Sequence, residues 1–292
     1  GLQDNIEAPV WSAKNYSFLK ANLAELNEYP ISWEDFDIVI NFAALSHVGN
    51  SIDNSGGFID VNIKGVYHIL EALRYVKNKH GKTIRLSHVS TDEVFGDFSD
   101  REAFSSGDTE DTRYRPTNPY AATKGASDLL ICAYNKTYGL NTTITNCCNN
   151  YGPNQHEEKL VPRVLYNLIH GKPVTIHGDG SQVRDWIHVV DHGDAVWTVA
   201  NNAAPGTQFN VSGRKHWTNL EMVIILHNFL SKEMDIPALE TYLQFVSDRG
   251  YNDRKYCVND DYLRKTLGWE PKIPFDTGMA DTVRHYMKKW LK

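Results

Sequence analysis

A chain of 292 residues, 41% hydrophobic and 23% charged, is long enough to bury a large core, as one big domain or two interlocked ones. Its formal net charge of −6 argues against a general nucleic-acid binder, although a local basic pocket for a phosphate remains compatible with it. No apolar run approaches the roughly 18 residues of a membrane-spanning helix, and Gly1-Leu2-Gln3-Asp4-Asn5 lacks the charged and apolar regions of a secretory leader, so the chain reads as cytoplasmic with no membrane partner.

Apolar runs then alternate with helical periodicity. Residues 37–43 read as a buried strand, 58–79 as a helix, 83–89 as a strand, 120–138 as a helix and 141–147 as a strand. This rhythm predicts an α/β fold with a mainly parallel sheet covered on both faces, whose ligands bind beyond the carboxyl ends of the strands. After Pro153 shorter elements are expected: helices over 161–170, 220–230, 260–267 and 278–289, with a Gly178-Asp179-Gly180 turn. Two interleaved domains follow, residues 1–153 with part of 154–215, and a smaller mixed α/β cap mainly over 154–292. No glycine-rich Gly-x-x-Gly-x-x-Gly or Gly-x-Gly-x-x-Gly links a strand to a helix, so the chain reads as beginning partway into its fold.

The candidate chemistry falls at the strand ends. Tyr120 and Lys124 are four residues apart on one helical face, where an ammonium beside a phenol favours the phenolate, suiting it to take a proton from an alcohol. Such spacing also arises by chance on amphipathic helices. Thr91-Asp92-Glu93 places a hydroxyl and two carboxylates at the end of a strand, where mutual repulsion separates their pKa values into an acid and a base; a solvated turn is the plainer alternative. Arg184 and Arg249 could bracket a diphosphate or sit in surface ion pairs. Asn149 and Asn150 suit a turn, or amide contacts to ribose, nicotinamide or phosphate. Cys132, Cys147, Cys148 and Cys257 lack metal-ligand spacing and read as structural thiols, with Cys147 and Cys148 on opposite faces of a strand. His47 has no partner at metal-site spacing, and no catalytic metal is expected. Trp186, Trp217, Trp269 and Trp290 read as packing residues.

Taken together, Ser90-Thr91-Asp92-Glu93-Val94-Phe95-Gly96, Asn118-Pro119-Tyr120-Ala121-Ala122-Thr123-Lys124, Asn149-Asn150-Tyr151-Gly152-Pro153, Glu158-Lys159-Leu160, Gly178-Asp179-Gly180 and Arg184-Asp185-Trp186 resemble the dTDP-glucose 4,6-dehydratases, extended short-chain dehydrogenase/reductases that use NAD on nucleotide sugars. The resemblance runs from about Asn15 to the C-terminus and lacks the family's first strand, glycine-rich loop and following strand. It implies a Rossmann-type doubly wound sheet, N-terminally truncated, with a substrate-binding cap.

For the reaction, the resemblance implies that Tyr120, helped by Lys124 and Thr91, deprotonates the glucose 4-hydroxyl. Glu93 then takes the proton on carbon 5, and protonated Asp92 donates to the departing 6-hydroxyl. Matching positions for NAD are Phe42, Ala43, Ala44, Leu45, Ser46, Tyr120, Lys124 and Asn150. For the nucleotide sugar they are Ser46, Thr91, Asn149, Lys159, Leu160, Arg184, Asn219, Asp248, Arg249 and Asn252, with Thr175, Ile176 and His177 near the base. A homodimer through a four-helix bundle is also implied, using 58–79 and 120–138, where Ile69, Leu73, Leu129 and Leu130 supply apolar faces that the chain's own sheet could equally cover.

Several positions depart from the family pattern. Leu45 replaces a Glu, Gly49-Asn50 an Asp-Arg, and Gly250-Tyr251-Asn252 a Pro-Gly-His. Phe95 and His177 each replace a Tyr, and Asn22-Leu23 replaces an Asp-Ile at the adenine. These changes leave UDP-glucose open beside dTDP-glucose. A 4-epimerase or a decarboxylase on the same fold is the near alternative, disfavoured by intact Thr91-Asp92-Glu93. A catalytically silent nucleotide-sugar or dinucleotide binder is the remote one.

Overall fold

The computed structural model describes residues 13–101, 106–248 and 252–291. In chain order, β1 (Ile38–Asn41) leads into α1 (Val48–Asp53), then a turn at Gly56–Phe58 and a π-helical stretch Ile59–Lys64 run into α2 (Gly65–His80). There follow β2 (Arg85–Thr91), a 3-10 turn Asp92–Phe95, α3 (Pro119–Tyr138), β3 (Asn141–Cys147), β4 (Asn149–Tyr151), α4 (Leu160–Ile169), β5 (Val174–His177) and β6 (Val183–His188). The chain continues through α5 (Val189–Asn202), β7 (Thr207–Val211), β8 (His216–Thr218), α6 (Asn219–Leu230), β9 (Leu243–Val246), α7 (Asp261–Leu267) and α8 (Phe275–Trp290).

Strands β1, β2, β3 and β7 form one parallel sheet in that order. Helices α2 and α3 pack together, α3 lies on β2 and β3, and α5 also packs on β2 and β3. This is the parallel α/β arrangement expected from the alternating pattern, of the Rossmann type that the family resemblance implies. The register pairs Thr91 with Cys147 and Cys147 with Val211, which brings the ends of β2, β3 and β7 to one level. Two smaller sheets, β4-β6-β8 and β5-β9, stand beyond those ends.

Local signals explain most element boundaries. Asn118 caps α3 by accepting from Ala121 N (2.9 Å), Pro119 occupies the first turn, and Gly139 closes the helix at φ 62°. Thr218 and Glu221 form a reciprocal capping box on α6. Apolar residues of α2, Val66, Ile69, Leu70, Leu73 and Val76, bury against Ile84, Leu86, Ile131 and Ile144. A second cluster joins Val161, Leu165 and Leu168 of α4 to Met222 and Leu226 of α6 and Met279, Val283 and Tyr286 of α8.

Some expectations need correction. The helix expected over 58–79 contains a π-helical stretch, which turns Asn62 inward at 1% exposure, where it holds Leu45 N, Leu45 O and Thr123 Oγ1. The second strand extends to Thr91, and Asn149–Tyr151 is a strand of another sheet rather than a connecting loop. Residues 189–202 form a helix that the sequence pattern did not announce, because Gly193, several β-branched residues and polar Asp191, His192 and Asp194 weaken its signal. Its Ala195, Val196, Val199 and Ala200 are buried, so tertiary packing holds it. Cys147 ends β3, so strand alternation does not extend to Cys148, and the two thiols interact instead of facing apart.

Candidate active site

A cavity of about 220 Å³ opens at the carboxyl ends of the strands. Of the residues singled out from sequence, Ser46, Glu93, Asn149, Lys159, Leu160, Thr175, Ile176, His177, Arg184, Asn219 and Asn252 line it. Thr91, Asp92, Tyr120 and Lys124 are buried, between 3% and 8% exposed, and do not line it. Phe42, Ala43, Leu45 and Ser46 are exposed in the loop after β1, Ala44 is half-buried, and of these five only Ser46 reaches the cavity wall. Arg249 lies outside the described residues.

The acidic pair is placed by the end of β2. Thr91 Oγ1 caps the following 3-10 turn by accepting from Glu93 N (3.3 Å) and donates to Asp92 Oδ1 (3.2 Å). Asp92 is buried, its Oδ2 without a hydrogen-bond partner, whereas Glu93 lines the cavity. Gly96 ends the turn at φ 75°, and a Cβ there would run into the Arg115 carbonyl oxygen.

Burial, then the neighbouring Glu93, Cys147 and Asp185 charges, hold the Asp92 carboxyl well above its ordinary range. Burial also raises Glu93, but the Asn118 amide, Arg184 and Lys159 oppose that rise. Asn118 Nδ2 donates to Glu93 Oε2 at 3.1 Å. Asp92 is therefore raised further than Glu93, which makes it the acid of the pair and Glu93 the base, the separation that an elimination at neighbouring carbons needs.

Tyr120 sits in the first turn of α3, its backbone N–H bonded to Ser51 Oγ (3.2 Å) and its ring edge-on to Phe58. Burial and then Glu93 push its phenol above the ordinary value, with Thr91 pulling the other way. The expectation that Lys124 lowers this phenol is not met by the side chains themselves. Lys124 Nζ instead meets Val89 O at 2.7 Å and His88 Nε2 at 3.0 Å. The i, i+4 spacing placed both on one face correctly, but the terminal ammonium found partners on β2.

Around the cavity Arg184 is fixed by Val183 O (2.8 Å) and Asp253 O (2.9 Å) and stacks over Tyr256 at 4.3 Å. Lys159 Nζ donates to Ser46 O (3.0 Å), joining the cap to the loop after β1. Asp248 does not line the cavity. It supports two residues that do, accepting from Asn252 Nδ2 (3.0 Å) and from Gln182 Nε2 (3.0 Å), whose Oε1 accepts from Asn219 Nδ2 (3.3 Å).

Sequence reasoning missed several members. Thr117 and Tyr256 both donate to Asp253 Oδ2 at 2.5 Å, and Tyr256 OH also lies 3.4 Å from Glu93 Oε2. Nothing local marks this group, because Thr117 and Asp253 are 136 positions apart. Trp186 belongs to the packed core as expected, yet it also forms cavity wall. Below the acids, burial opposes ionisation of Cys147, but hydrogen bonds from Cys148, His192 and Asn150 and the His192 charge bring its thiol down to about 6. Asn150 Nδ2 contacts Cys147 Sγ at 3.6 Å, and its buried Oδ1 has no partner.

The family model for GDP-mannose 4,6 dehydratase matches residues 3–282. A dTDP-glucose 4,6-dehydratase of Escherichia coli is 36% identical over 294 residues, covering 96% of this chain and 81% of that protein. One from Xanthomonas campestris pv. campestris is 42% identical over 258 residues, covering 86% and 72%. The crystal structure of DesIV, a dTDP-glucose 4,6-dehydratase from Streptomyces venezuelae with NAD and TYD bound, superposes with a TM-score of 0.87 at 34% identity, covering 97% of this chain and 83% of that one. With a family match along nearly its whole length and relatives above a third identical, this chain belongs to the nucleotide-sugar 4,6-dehydratase family.

Proposed function

We propose that this protein is a hydro-lyase that converts dTDP-glucose, or UDP-glucose, to the 4-keto-6-deoxy sugar with bound NAD. The observation that carries this reading is the buried Asp92, its carboxyl held well above the ordinary range, beside a Glu93 that lines the cavity. An epimerase or decarboxylase has no use for an acid and a base on adjacent carbons, so the pair favours water loss. Membership of the family and the DesIV likeness support the same chemistry.

The residues at the strand ends fit NAD. Phe42 and Leu45 expose apolar surface beside β1, at 56% and 41%, and the orphaned Asn150 Oδ1 offers a buried acceptor. Phe42, Ala43, Ala44, Leu45, Ser46, Tyr120, Lys124 and Asn150 would hold it. When bound, NAD supplies the acceptance and return of two electrons with a hydrogen. Tyr120 takes the 4-hydroxyl proton, steadied by Thr91. The resulting carbonyl acidifies carbon 5, from which Glu93 removes the proton, and Asp92 protonates the 6-hydroxyl as its C–O bond breaks. Arg184 and Lys159 supply positive charge for the diphosphate; Asn149, Asn219, Asn252 and Leu160 shape the wall, with Thr175, Ile176 and His177 toward the base, Asp248 holding Asn252 and Gln182 from behind the wall, and Arg249 as a further contact. Residues 1–153, with α5 and β7, would carry NAD, and the later elements the nucleotide sugar.

Exposed Tyr67 and Tyr75 on α2 (43% and 56%) and Leu129 on α3 (63%) support a homodimer through these helices. Ile69 and Leu73 do not contribute to it, since they are buried in the chain's own core. Among the described residues no helix is long and apolar enough to cross a membrane. A cytoplasmic location belongs to the same proposal, in keeping with four free thiols that suit a reducing compartment.

Incubating the protein with NAD and dTDP-glucose or UDP-glucose should yield a 4-keto product with its alkaline absorption band. A galactose or xylose nucleotide instead would overturn the reading. Glu93→Gln should leave nucleotide-sugar affinity nearly unchanged and lower turnover roughly 10²–10⁴-fold, the range for a lost general base.

A further inference from the structure

Two buried side chains that the mechanism above does not use, His88 and Asp128, close around Lys124. All three are nearly inaccessible, at 0%, 1% and 3% exposure. Asn41 Oδ1 accepts from Ala43 N (3.1 Å), which orients its amide so that Nδ2 faces His88 Nδ1 at 3.0 Å. Nδ1 of His88 is then the acceptor, and a neutral ring carries its proton on Nε2. Burial and the nearby Lys124 charge keep that ring neutral. Its Nε2–H therefore points toward Lys124 Nζ (3.0 Å) and Asp128 Oδ1 (3.6 Å).

An ammonium cannot accept that proton, whereas a neutral amine can. His88 thus favours the amine form of Lys124, and the opposing anion must come from Asp128, one turn further along α3. The Asp128 carboxyl is fixed in place by its neighbours, with Oδ2 accepting from Ser90 Oγ (2.6 Å) and Tyr114 OH (3.1 Å), while Oδ1 has no hydrogen-bond partner. Besides these, Tyr120 and Cys132 on α3 feel the Asp128 charge.

We propose that Asp128 and His88 are opposed positioning residues that set the charge of Lys124, the carboxylate sustaining the ammonium and the imidazole N–H sustaining the amine. Burial brings Lys124 down to about 8 with Asp128 resisting, and burial lifts Asp128 to about 6 with Lys124 resisting. Between those values the pair is charged. What Lys124 then does for catalysis rests on the dehydratase reading; its protonation does not.

The test follows the Lys124 side-chain resonance by NMR in protein carrying ¹³C-labelled lysine. In the native protein it should titrate near 8. Asp128→Asn should lower that midpoint by about 1–3 units, the usual effect of losing an opposite charge at close range. His88→Gln, which replaces the N–H by a side chain able to accept from the ammonium, should raise it. An unmoved midpoint in Asp128→Asn, or shifts of the same sign in both variants, overturns the proposal. If Asp128→Asn does not fold, Ser90→Ala decides: loss of its hydrogen bond should raise the Asp128 midpoint, seen as the acidic inflection of the same Lys124 resonance, above about 6, and absence of a raised inflection overturns the proposal, since Lys124 then does not sense that carboxylate. In turnover assays the alkaline limb of kcat/KM should move down with Asp128→Asn in step with the resonance, and failure to do so overturns the link to catalysis. A native protein that titrates as stated but converts neither nucleotide sugar refutes the function and leaves the Lys124 assignment standing.

Discussion

Replacing Asn118 by alanine separates two jobs that one side chain performs. Its Oδ1 caps α3 through Ala121 N (2.9 Å), and its Nδ2 donates to Glu93 Oε2 (3.1 Å). Loss of the cap costs about 1 kcal/mol, within a range of roughly 0.5–2, which lowers Tm by a few degrees in a chain of this size. Loss of a hydrogen bond to a charged group costs about 1.5–3 kcal/mol, and the charged form of Glu93 is the one that loses it. Asn118 is the first force opposing the burial that raises Glu93, so its removal raises that carboxyl further. The base form exists above the pKa and disappears as pH falls through it. The acidic limb of kcat for water loss should therefore move to higher pH. Asn118→Asp supplies the control, since aspartate caps the helix as well or better while setting a second carboxylate against Glu93. It should keep Tm and shift the limb in the same direction. A lowered Tm with an unmoved limb in Asn118→Ala would make Asn118 a cap only. A limb that moves in Asn118→Ala but not in Asn118→Asp would refute the electrostatic reasoning.

Three further outcomes are expected. Asp92→Asn, which removes the buried acid but leaves Glu93 in place, should permit exchange of the carbon 5 hydrogen with solvent deuterium while 6-deoxy product falls at least about 100-fold, read by mass spectrometry. Asp248→Ala frees Asn252 and Gln182, and with Gln182 the side chain of Asn219, so KM for the nucleotide sugar should rise about tenfold, the equivalent of roughly 1.4 kcal/mol, with kcat nearly constant. Leu70→Ala empties a fully buried site between α2 and the sheet and should cost about 2–5 kcal/mol in denaturant unfolding without changing KM in the fraction that remains folded.

The repeating apolar pattern made the parallel sheet legible because strands covered on both faces carry consecutive apolar residues, as Ile38, Val39 and Ile40 do in β1, and their crossover helices carry one apolar stripe. The stripe on α2 is plain in Val66, Ile69, Leu70, Leu73 and Val76. The helix expected over 120–138 matches α3 within a residue, because Asn118-Pro119 and Gly139, whose capping is local chemistry, bound it. By contrast α5 and the small strands beyond Pro153 carry weak local signals and exist through packing and pairing.

The sequence by itself determined the chemical inventory of the site. Thr91, Asp92 and Glu93 are consecutive, and Tyr120 and Lys124 share a helical face, so their proximity within each set follows from backbone geometry. Only the tertiary structure decided their charge states and their company. Which carboxyl lines the cavity, where Lys124 Nζ finds its partners, and how Thr117, Asp253 and Tyr256 meet Glu93 depend on side chains from distant segments. Desolvation and hydrogen bonding act through space, and neither leaves a trace in the local pattern of the chain.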